Sequence, residues 1–248
     1  MRLQAIVVCV GYADLLSHSL ALWHQGLDRL IVISDTKDKA THDLCNAHNV
    51  QMHITDIFYS NGARFNKAAA MAEAVLKYNL RAESEWFLTF DADMVPPPNW
   101  RDILERADLK CGTLYGAWRY QNPEKVQTPV LLMNRRMPQH WVIGFFSLFH
   151  VNDPHLPPVN EPLFDLHWPH AGNYDTAFTN RWPRGDQVIL NNLPLIHLGE
   201  ERANWLGRGR KAELHKRVFS RRPHITIFNH ERMANPPQLL VDQPVKNH

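Results

Sequence analysis

Two aspartates separated by one residue, Asp91 and Asp93, are the strongest chemical signal in this sequence. They follow the apolar run Trp86–Phe90, whose composition predicts a buried strand. Two carboxylates at a strand end can both turn toward a crevice, and their oxygens suit Mg²⁺ or Mn²⁺ carrying a substrate's phosphates. The alternative is a strand end with solvated charges, and the strand context favours a metal or phosphate site.

Two chemistries fit such a pair. In one, the aspartates hold a divalent cation that neutralises a leaving nucleoside diphosphate. In the other, Asp91 is a nucleophile that forms an aspartyl-phosphate and Asp93 is its acid/base partner, as in haloacid dehalogenase-like phosphatases. Those phosphatases normally open with this motif, whereas three strand–helix units precede it here. The position therefore favours the nucleotide site.

A second candidate anion site is the stretch Arg64-Phe65-Asn66-Lys67-Ala68, which lies before the acidic pair. Asn66 predicts the N-cap of a helix whose apolar face is formed by Ala68, Met71, Ala72, Val75 and Leu76. Lys67 then lies at a helix N-terminus, where free N–H groups and the helix dipole favour anions. Taken alone, this stretch also fits a solvated first turn.

The elements that must position these residues alternate along the first hundred residues. Strands are predicted over Leu3–Val10, Leu30–Ile33, Val50–Ile54 and Trp86–Phe90, with amphipathic helices between them. This alternation predicts an α/β fold with a mainly parallel, doubly wound sheet, whose ligand crevice lies beyond the carboxyl ends of the strands. Asp35, Asp56 and the Asp91/Asp93 pair all follow predicted strand ends.

Taken together, these stretches resemble the core of GT-A-fold glycosyltransferases. The resemblance is carried by Phe65-Asn66-Lys67-Ala68, an Ala-rich helix and Trp86-Phe87-Leu88-Thr89-Phe90-Asp91-Ala92-Asp93-Met94-Val95-Pro96. The order of elements over residues 3–110 is closest to the β-1,4-galactosyltransferase-like and family 2-like branches. It implies a GT-A-type, Rossmann-like single domain with an irregular acceptor-side half.

The resemblance also implies roles for individual residues. Asn66 and Lys67 would contact a nucleotide sugar, with Lys67 in place of the usual Arg, and Asp35 and Asp56 would line the base and ribose pocket. Asp93 and His197 would hold Mn²⁺ or Mg²⁺, and Asp91 would bridge the metal or the ribose. The histidine is assigned because such enzymes carry a late histidine after a short strand, as in Pro194-Leu195-Ile196-His197.

The catalytic base implied by the resemblance is Asp175. Such enzymes usually carry two acidic residues at a helix start, and Tyr174 occupies the first of these positions here. Tyr174, Phe178 and Trp182 recur at helical spacing, so a helix is predicted to begin near Asp175. Asp186 is the alternative base.

The chain is predicted to divide into a glycosyltransferase domain over 1–200 and a basic C-terminal extension or lid over 201–248. Within the domain, 1–110 would form the nucleotide-sugar half and 111–200 the acceptor half. The segment 202–222 carries eight Lys and Arg against Glu213 alone. A lid over 205–210 would bring Arg208 to the diphosphate. The basic segment is either a solvated face or a contact for an anionic acceptor, such as a glycan, a lipid-linked acceptor or a nucleic acid.

Composition excludes several other classes. The 248 residues include 27 Lys and Arg, 25 Asp and Glu and 44% hydrophobic residues, which is typical of a globular protein. Three widely spaced cysteines form no disulfide framework. The sequence has no Gly-x-Gly-x-x-Gly motif after its first strand and no Walker motif. No apolar run reaches membrane-spanning length, so a cytoplasmic location is expected.

The sequence therefore predicts a metal-dependent, inverting glycosyltransferase that moves a sugar from a nucleotide-diphosphate sugar, with a UDP-sugar preferred, to an acceptor hydroxyl. Two alternatives stay open. One is a phosphohydrolase built on Asp91. The other is a protein that binds or modifies nucleic acid and whose acidic residues are structural.

Overall fold

The computed structural model describes residues 1–121, 142–168, 170–172 and 174–198. Eight strands in these residues form one sheet: β1 Leu3–Val8, β2 Arg29–Asp35, β3 Gln51–Thr55, β4 Trp86–Asp91, β5 Met94–Val95, β6 Leu114–Gln121, β7 Phe146–His150 and β8 Gln187–His197. The helices are α1 Ala13–Leu16, α2 Leu20–Gly26, α3 Lys39–Ala47, α4 Lys67–Lys77, α5 Leu80–Glu83, α6 Trp100–Arg106 and α7 Tyr174–Thr179. Two 3₁₀ segments cover Ile57–Gly62 and Arg184–Asp186.

The strand order is β3-β2-β1-β4-β7-β6-β8-β5. The first four strands are parallel to one another, and β6 is parallel to β8. The β4–β7, β6–β7 and β5–β8 pairs are antiparallel. This arrangement confirms the predicted α/β fold class with a mainly parallel central sheet.

Both faces of the parallel part of the sheet are covered, which explains why its strands read as continuous apolar runs. All six residues of β1 are buried. One hydrophobic cluster packs around Trp23 and Trp100 from α2 and α6, and another packs around α4 and α7. The hydrophobic core therefore lies on both sides of the sheet.

The helix α4 begins where the sequence predicts, because Asn66 caps it. The Asn66 side-chain oxygen accepts a hydrogen bond from the Ala69 N–H at 2.9 Å. All five of its alanines are buried, as are Met71 and Val75. The prediction for Leu76 was wrong, because its position on the helix turns it away from the sheet and leaves it 46% exposed.

The half that is predicted to be irregular and to face the acceptor has its irregular segment after β7. The described residues between 151 and 172 lie outside helices and strands. Arg81 of α5 holds this region by donating hydrogen bonds to the carbonyls of Val151, Pro157 and Pro158. A buried guanidinium that binds carbonyl oxygens supplies the backbone partners that a loop without regular structure needs.

Some predictions fall outside the described residues, namely Arg208, the segment 205–210 and the basic segment 202–222. The division into a domain over 1–200 and an extension over 201–248 stays a prediction for the same reason. In the part of the chain that the structure describes, no helix is long and apolar enough to cross a membrane.

Candidate functional site

The candidate site lies at the edge of the sheet where the parallel strands end. In the sheet register Val8 lies opposite both Ile33 and Asp91, and Asp35 lies opposite Thr55. The carboxyl ends of β1 to β4 therefore meet along one edge. The topology of a doubly wound sheet places ligand crevices at this kind of edge.

Asp93 and His197 are brought together by the pairing of two strands that are far apart in sequence. Met94 of β5 lies opposite His197 of β8, and the Leu198 N–H donates to the Asp93 carbonyl at 2.9 Å. As a result, the Asp93 Oδ2 and His197 Nε2 atoms are 3.1 Å apart. Both side chains are buried, with 3% and 5% of their surface exposed. The structure thus joins two residues that the resemblance assigns to one metal.

Buried indole rings hold the turn between β4 and β5, which carries Asp93. The Trp23 Nε1–H donates to the Met94 carbonyl at 3.0 Å, and the Trp23 ring stacks on Phe90 with 4.2 Å between centroids. Trp100 packs edge-on against Trp23 at 4.8 Å and donates to the Leu22 carbonyl. Because β4 ends at Asp91 and the chain then turns over these rings, Asp91 and Asp93 have different neighbours.

Asp91 is paired with Lys67. The Lys67 Nζ atom lies 2.5 Å from the Asp91 Oδ1 atom and 5.4 Å from the centre of the Tyr174 ring. Burial alone would lower the pKa of Lys67, but the charge of Asp91 and the contact with Tyr174 outweigh it and raise the pKa above its usual value. Lys67 is therefore a cation at neutral pH, and it neutralises the carboxylate at the end of β4.

Asp175 lies beside this ion pair, in the first turn of α7. The helix is anchored by Phe178, whose ring lies 5.3 Å from Phe149 and 4.9 Å from Phe164. Burial raises the pKa of Asp175, and the charge of Asp91 raises it further, whereas Lys67 opposes both effects. A carboxylate with a raised pKa is a stronger base than an exposed one, which suits proton transfer near neutral pH.

Tyr174 is a residue of this site whose contact the sequence did not reveal. Its position at the helix start suggested only an apolar anchor, but its ring faces the Lys67 ammonium. Burial raises the pKa of the phenol, and Lys67 counters this effect in part. The sequence signal was the replacement of an acidic residue by Tyr174 beside Asp175, at a position where the resemblance implies a negative charge.

The residues assigned to the base and ribose pocket lie on the same edge of the sheet. Asp35 ends β2, is buried, and accepts a hydrogen bond from the Lys37 N–H at 2.8 Å. Asp56 directly follows β3 and is exposed. The Asn66 amide is engaged within the protein: its oxygen caps α4, and its nitrogen donates to the Leu166 carbonyl at 2.7 Å.

Asp186 lies away from the other predicted residues. It precedes β8, and the first residue of β8, Gln187, lies opposite Leu114 at the start of β6, whereas His197 lies opposite Gln121 at its end. Given the rise per residue of a strand, Asp186 and His197 are roughly 20 Å apart along the sheet. Asp186 instead lies 3.6 Å from the His155 ring. This placement argues against Asp186 as the base.

The three predicted metal ligands do not form one cluster. Within residues 1–121, 142–168, 170–172 and 174–198, no three His, Cys, Asp or Glu side chains are placed so that they could hold a metal ion together. Asp91 is engaged by Lys67, which leaves Asp93 and His197. Neighbouring ligands of an octahedral ion, each about 2.1 Å from it, lie about 3.0 Å apart. The 3.1 Å between the Asp93 and His197 atoms fits this requirement, and Mn²⁺ accepts both oxygen and imidazole ligands.

Comparisons with known proteins gave matches among solved structures. No protein-family model matches the chain. No curated protein matches it either. A glucosyl-3-phosphoglycerate synthase from Mycobacterium tuberculosis, in complex with Mn²⁺, UDP-glucose and phosphoglyceric acid, is similar at 12% identity and a TM-score of 0.49, over 81% of this chain and 73% of that one. The inositol-1-phosphate CTP transferase from T. maritima is similar at 12% identity and a TM-score of 0.43, over 79% of this chain and 89% of that one.

Proposed function

We propose that this chain is a transferase that uses a nucleotide-diphosphate sugar, with a UDP-sugar preferred, and moves the sugar to an acceptor hydroxyl. The observation that carries the proposal is the contact between Asp93 and His197, 104 residues apart, beside the Lys67–Asp91 ion pair. A cation, two oxygen or nitrogen donors and a separate carboxylate then lie together at the carboxyl ends of parallel strands. Those are the groups needed to bind a diphosphate and to activate a hydroxyl.

Asp93 and His197 would hold Mn²⁺ or Mg²⁺. When bound, such an ion acts as a Lewis acid on the oxygens of the departing diphosphate. Two protein ligands are sufficient for this role, because a catalytic Mg²⁺-type ion commonly takes its other ligands from substrate phosphates and water. Burial of both side chains keeps them in one geometry, so their orientation needs little reorganisation when the donor binds.

Lys67 would bind the diphosphate. Its ammonium lies at the first residue of the eleven-residue helix α4, where the backbone N–H groups of the first turn also favour an anion. In the structure its charge is met by Asp91. An incoming diphosphate would share this cation with Asp91, which explains how a site with two neighbouring aspartates can accept a further negative charge.

Asp175 would act as the general base. It is not engaged by Lys67 in an ion pair, and burial raises its pKa. It would remove the proton from the acceptor hydroxyl as that oxygen attacks the anomeric carbon from the side opposite the diphosphate. Such a single displacement inverts the configuration at the sugar carbon.

The phosphohydrolase alternative is less well supported. It requires Asp91 as the nucleophile and Asp93 as an acid/base partner that reaches the same substrate. Asp93 instead lies almost wholly buried against His197, whereas Asp91 lies against Lys67. The two carboxylates therefore face different partners. The nucleic-acid alternative depends on the segment 202–222, which lies outside the described residues.

A panel of nucleotide sugars tests the proposal. Thermal unfolding of the full chain is measured with each sugar nucleotide, in Mn²⁺ and in EDTA. We expect a UDP-sugar with Mn²⁺ to raise the melting temperature by about 5–10 °C at a concentration near 100 times its Kd. No shift with any nucleotide sugar would contradict the proposal. Release of phosphate from simple phosphomonoesters, abolished by Asp91→Asn, would favour the phosphohydrolase instead.

A further inference from the structure

Gly144 lies in the loop that leads into β7, and it contacts the first turn of α7. A Cβ atom placed on Gly144 would lie 2.1 Å from the Asp175 Cβ, 2.7 Å from its Oδ2 and 2.9 Å from its Cγ. Non-bonded carbon atoms are best separated by about 3.5–4.0 Å. The space that a side chain at position 144 would fill is therefore occupied by the Asp175 side chain.

A change of side-chain rotamer cannot relieve this conflict. The shortest of the three distances is to the Asp175 Cβ, which is fixed by the backbone of α7. The helix is held in turn by Phe178, packed against Phe149 and Phe164. Any side chain at position 144 must therefore move the start of α7 or the loop before β7, by more than about 1 Å given the contact distance above.

We propose that Gly144 is the positioning residue for Asp175, because the absence of a side chain there defines where this carboxylate lies. The inference rests on the proposed function, in which Asp175 is the base. The carboxylate is oriented by two features: its Oδ1 accepts a hydrogen bond from the Thr176 N–H at 2.8 Å, and its Oδ2 lies over Gly144. A displacement of about 1 Å at a reacting group can reduce turnover about 10²-fold.

Two other glycines provide matched controls. A Cβ at Gly116 would lie 2.9 Å from the Ile189 Cδ1 and 3.1 Å from a methyl group of Val142, which is a packing conflict that does not involve the Asp175 side chain. A Cβ at Gly185 would meet nothing within 4 Å. Gly116→Ala therefore reports a general loss of packing, and Gly185→Ala reports the effect of a methyl group in open space.

The first experiment measures hydrolysis of the UDP-sugar that binds in the panel above, with water as the acceptor. We expect Gly144→Ala to lower kcat about 10²-fold and to leave the donor KM within about threefold. Gly116→Ala should lower the melting temperature and keep kcat near wild type, and Gly185→Ala should change neither. Wild-type kcat in Gly144→Ala, or an equal loss of kcat in Gly116→Ala, would overturn the inference.

The second experiment tests the contact itself without using activity. Gly144→Ala should lower the melting temperature by roughly 5 °C, which is typical of overpacking in a chain of this size. In an Asp175→Gly background the opposing Cβ is absent, so the same substitution should cost much less. If Gly144→Ala lowered the melting temperature equally in the wild-type and Asp175→Gly proteins, the inference would be overturned. A protein in which Asp175→Gly does reduce the effect of Gly144→Ala on the melting temperature, but which binds and hydrolyses no nucleotide sugar, would overturn the proposed function instead.

Discussion

At the scale of single residues, the site separates two aspartates that look equivalent in the sequence. Asp91 is neutralised by a lysine, and Asp93 lies against a histidine. Two like charges so close in sequence would repel each other if both faced one pocket without a cation. Their different partners remove this conflict, and they also explain why the three predicted metal ligands are not found as one cluster.

The proposed role of Asp175 as a base is expected to lower the stability of the folded protein at neutral pH. Because burial raises its pKa in the folded protein above the ordinary value of 3.8, the folded state binds this proton more tightly than the unfolded state. The stability contributed by this group is therefore present at low pH, and it is lost as pH rises from about 3.8 through the folded pKa. We therefore expect an ionised Asp175 to destabilise the folded protein at pH 7.

Asp175→Asn should therefore raise stability and lower activity. It removes the half-buried charge and keeps the shape of the side chain, so we expect a higher melting temperature than wild type at pH 7, and a difference that disappears below about pH 3.8. Turnover should fall about 10²–10⁴-fold because the base is lost, with donor affinity near wild type. Thermal unfolding across pH and steady-state kinetics check both parts. A lower melting temperature of Asp175→Asn than of the wild type at pH 7 would contradict a raised pKa of Asp175 in the folded protein.

At the scale of elements, the sequence predicts local features well and contacts between distant segments poorly. The parallel strands and α4 have continuous apolar runs or a clear cap, so their positions follow from neighbouring residues. The distance between Asp186 and His197 depends on how β8 pairs with β6, which is set by tertiary packing and not by local pattern.

The helix α4 offers a test of how one cap supports the site. Asn66→Ala removes both the cap and the hydrogen bond to the Leu166 carbonyl. We expect a loss of about 1–2 kcal/mol in the free energy of unfolding, measured with urea. Asn99 is the matched control, because it precedes α6 without a side-chain cap hydrogen bond. Equal losses in Asn66→Ala and Asn99→Ala would contradict the account of the α4 cap.

At the scale of the whole molecule, the sheet brings residues from the two halves of the described chain into one candidate site. The parallel half supplies Lys67, Asp91 and Asp93, and the later segments supply Asp175 and His197. The link between the halves is made by β7, β6 and β8, which place the end of β8 beside the turn after β4. The resemblance predicts a metal site of Asp91, Asp93 and His197, and the structure brings Asp93 and His197 together, whereas the ion pair of Lys67 with Asp91 follows only from the folded arrangement.

Calorimetric titration of UDP into the full chain, in Mn²⁺ and in EDTA, tests whether a metal ion links the protein to the diphosphate. If Asp93 and His197 hold a cation beside the diphosphate, Mn²⁺ should strengthen UDP binding at least about tenfold, since loss of a single supporting group at a metal site commonly costs 10–100-fold. Asp93→Ala should abolish this dependence, and Asp186→Ala, at the other end of β8, should preserve it. Equal UDP affinity in Mn²⁺ and in EDTA for the wild-type protein would contradict the account.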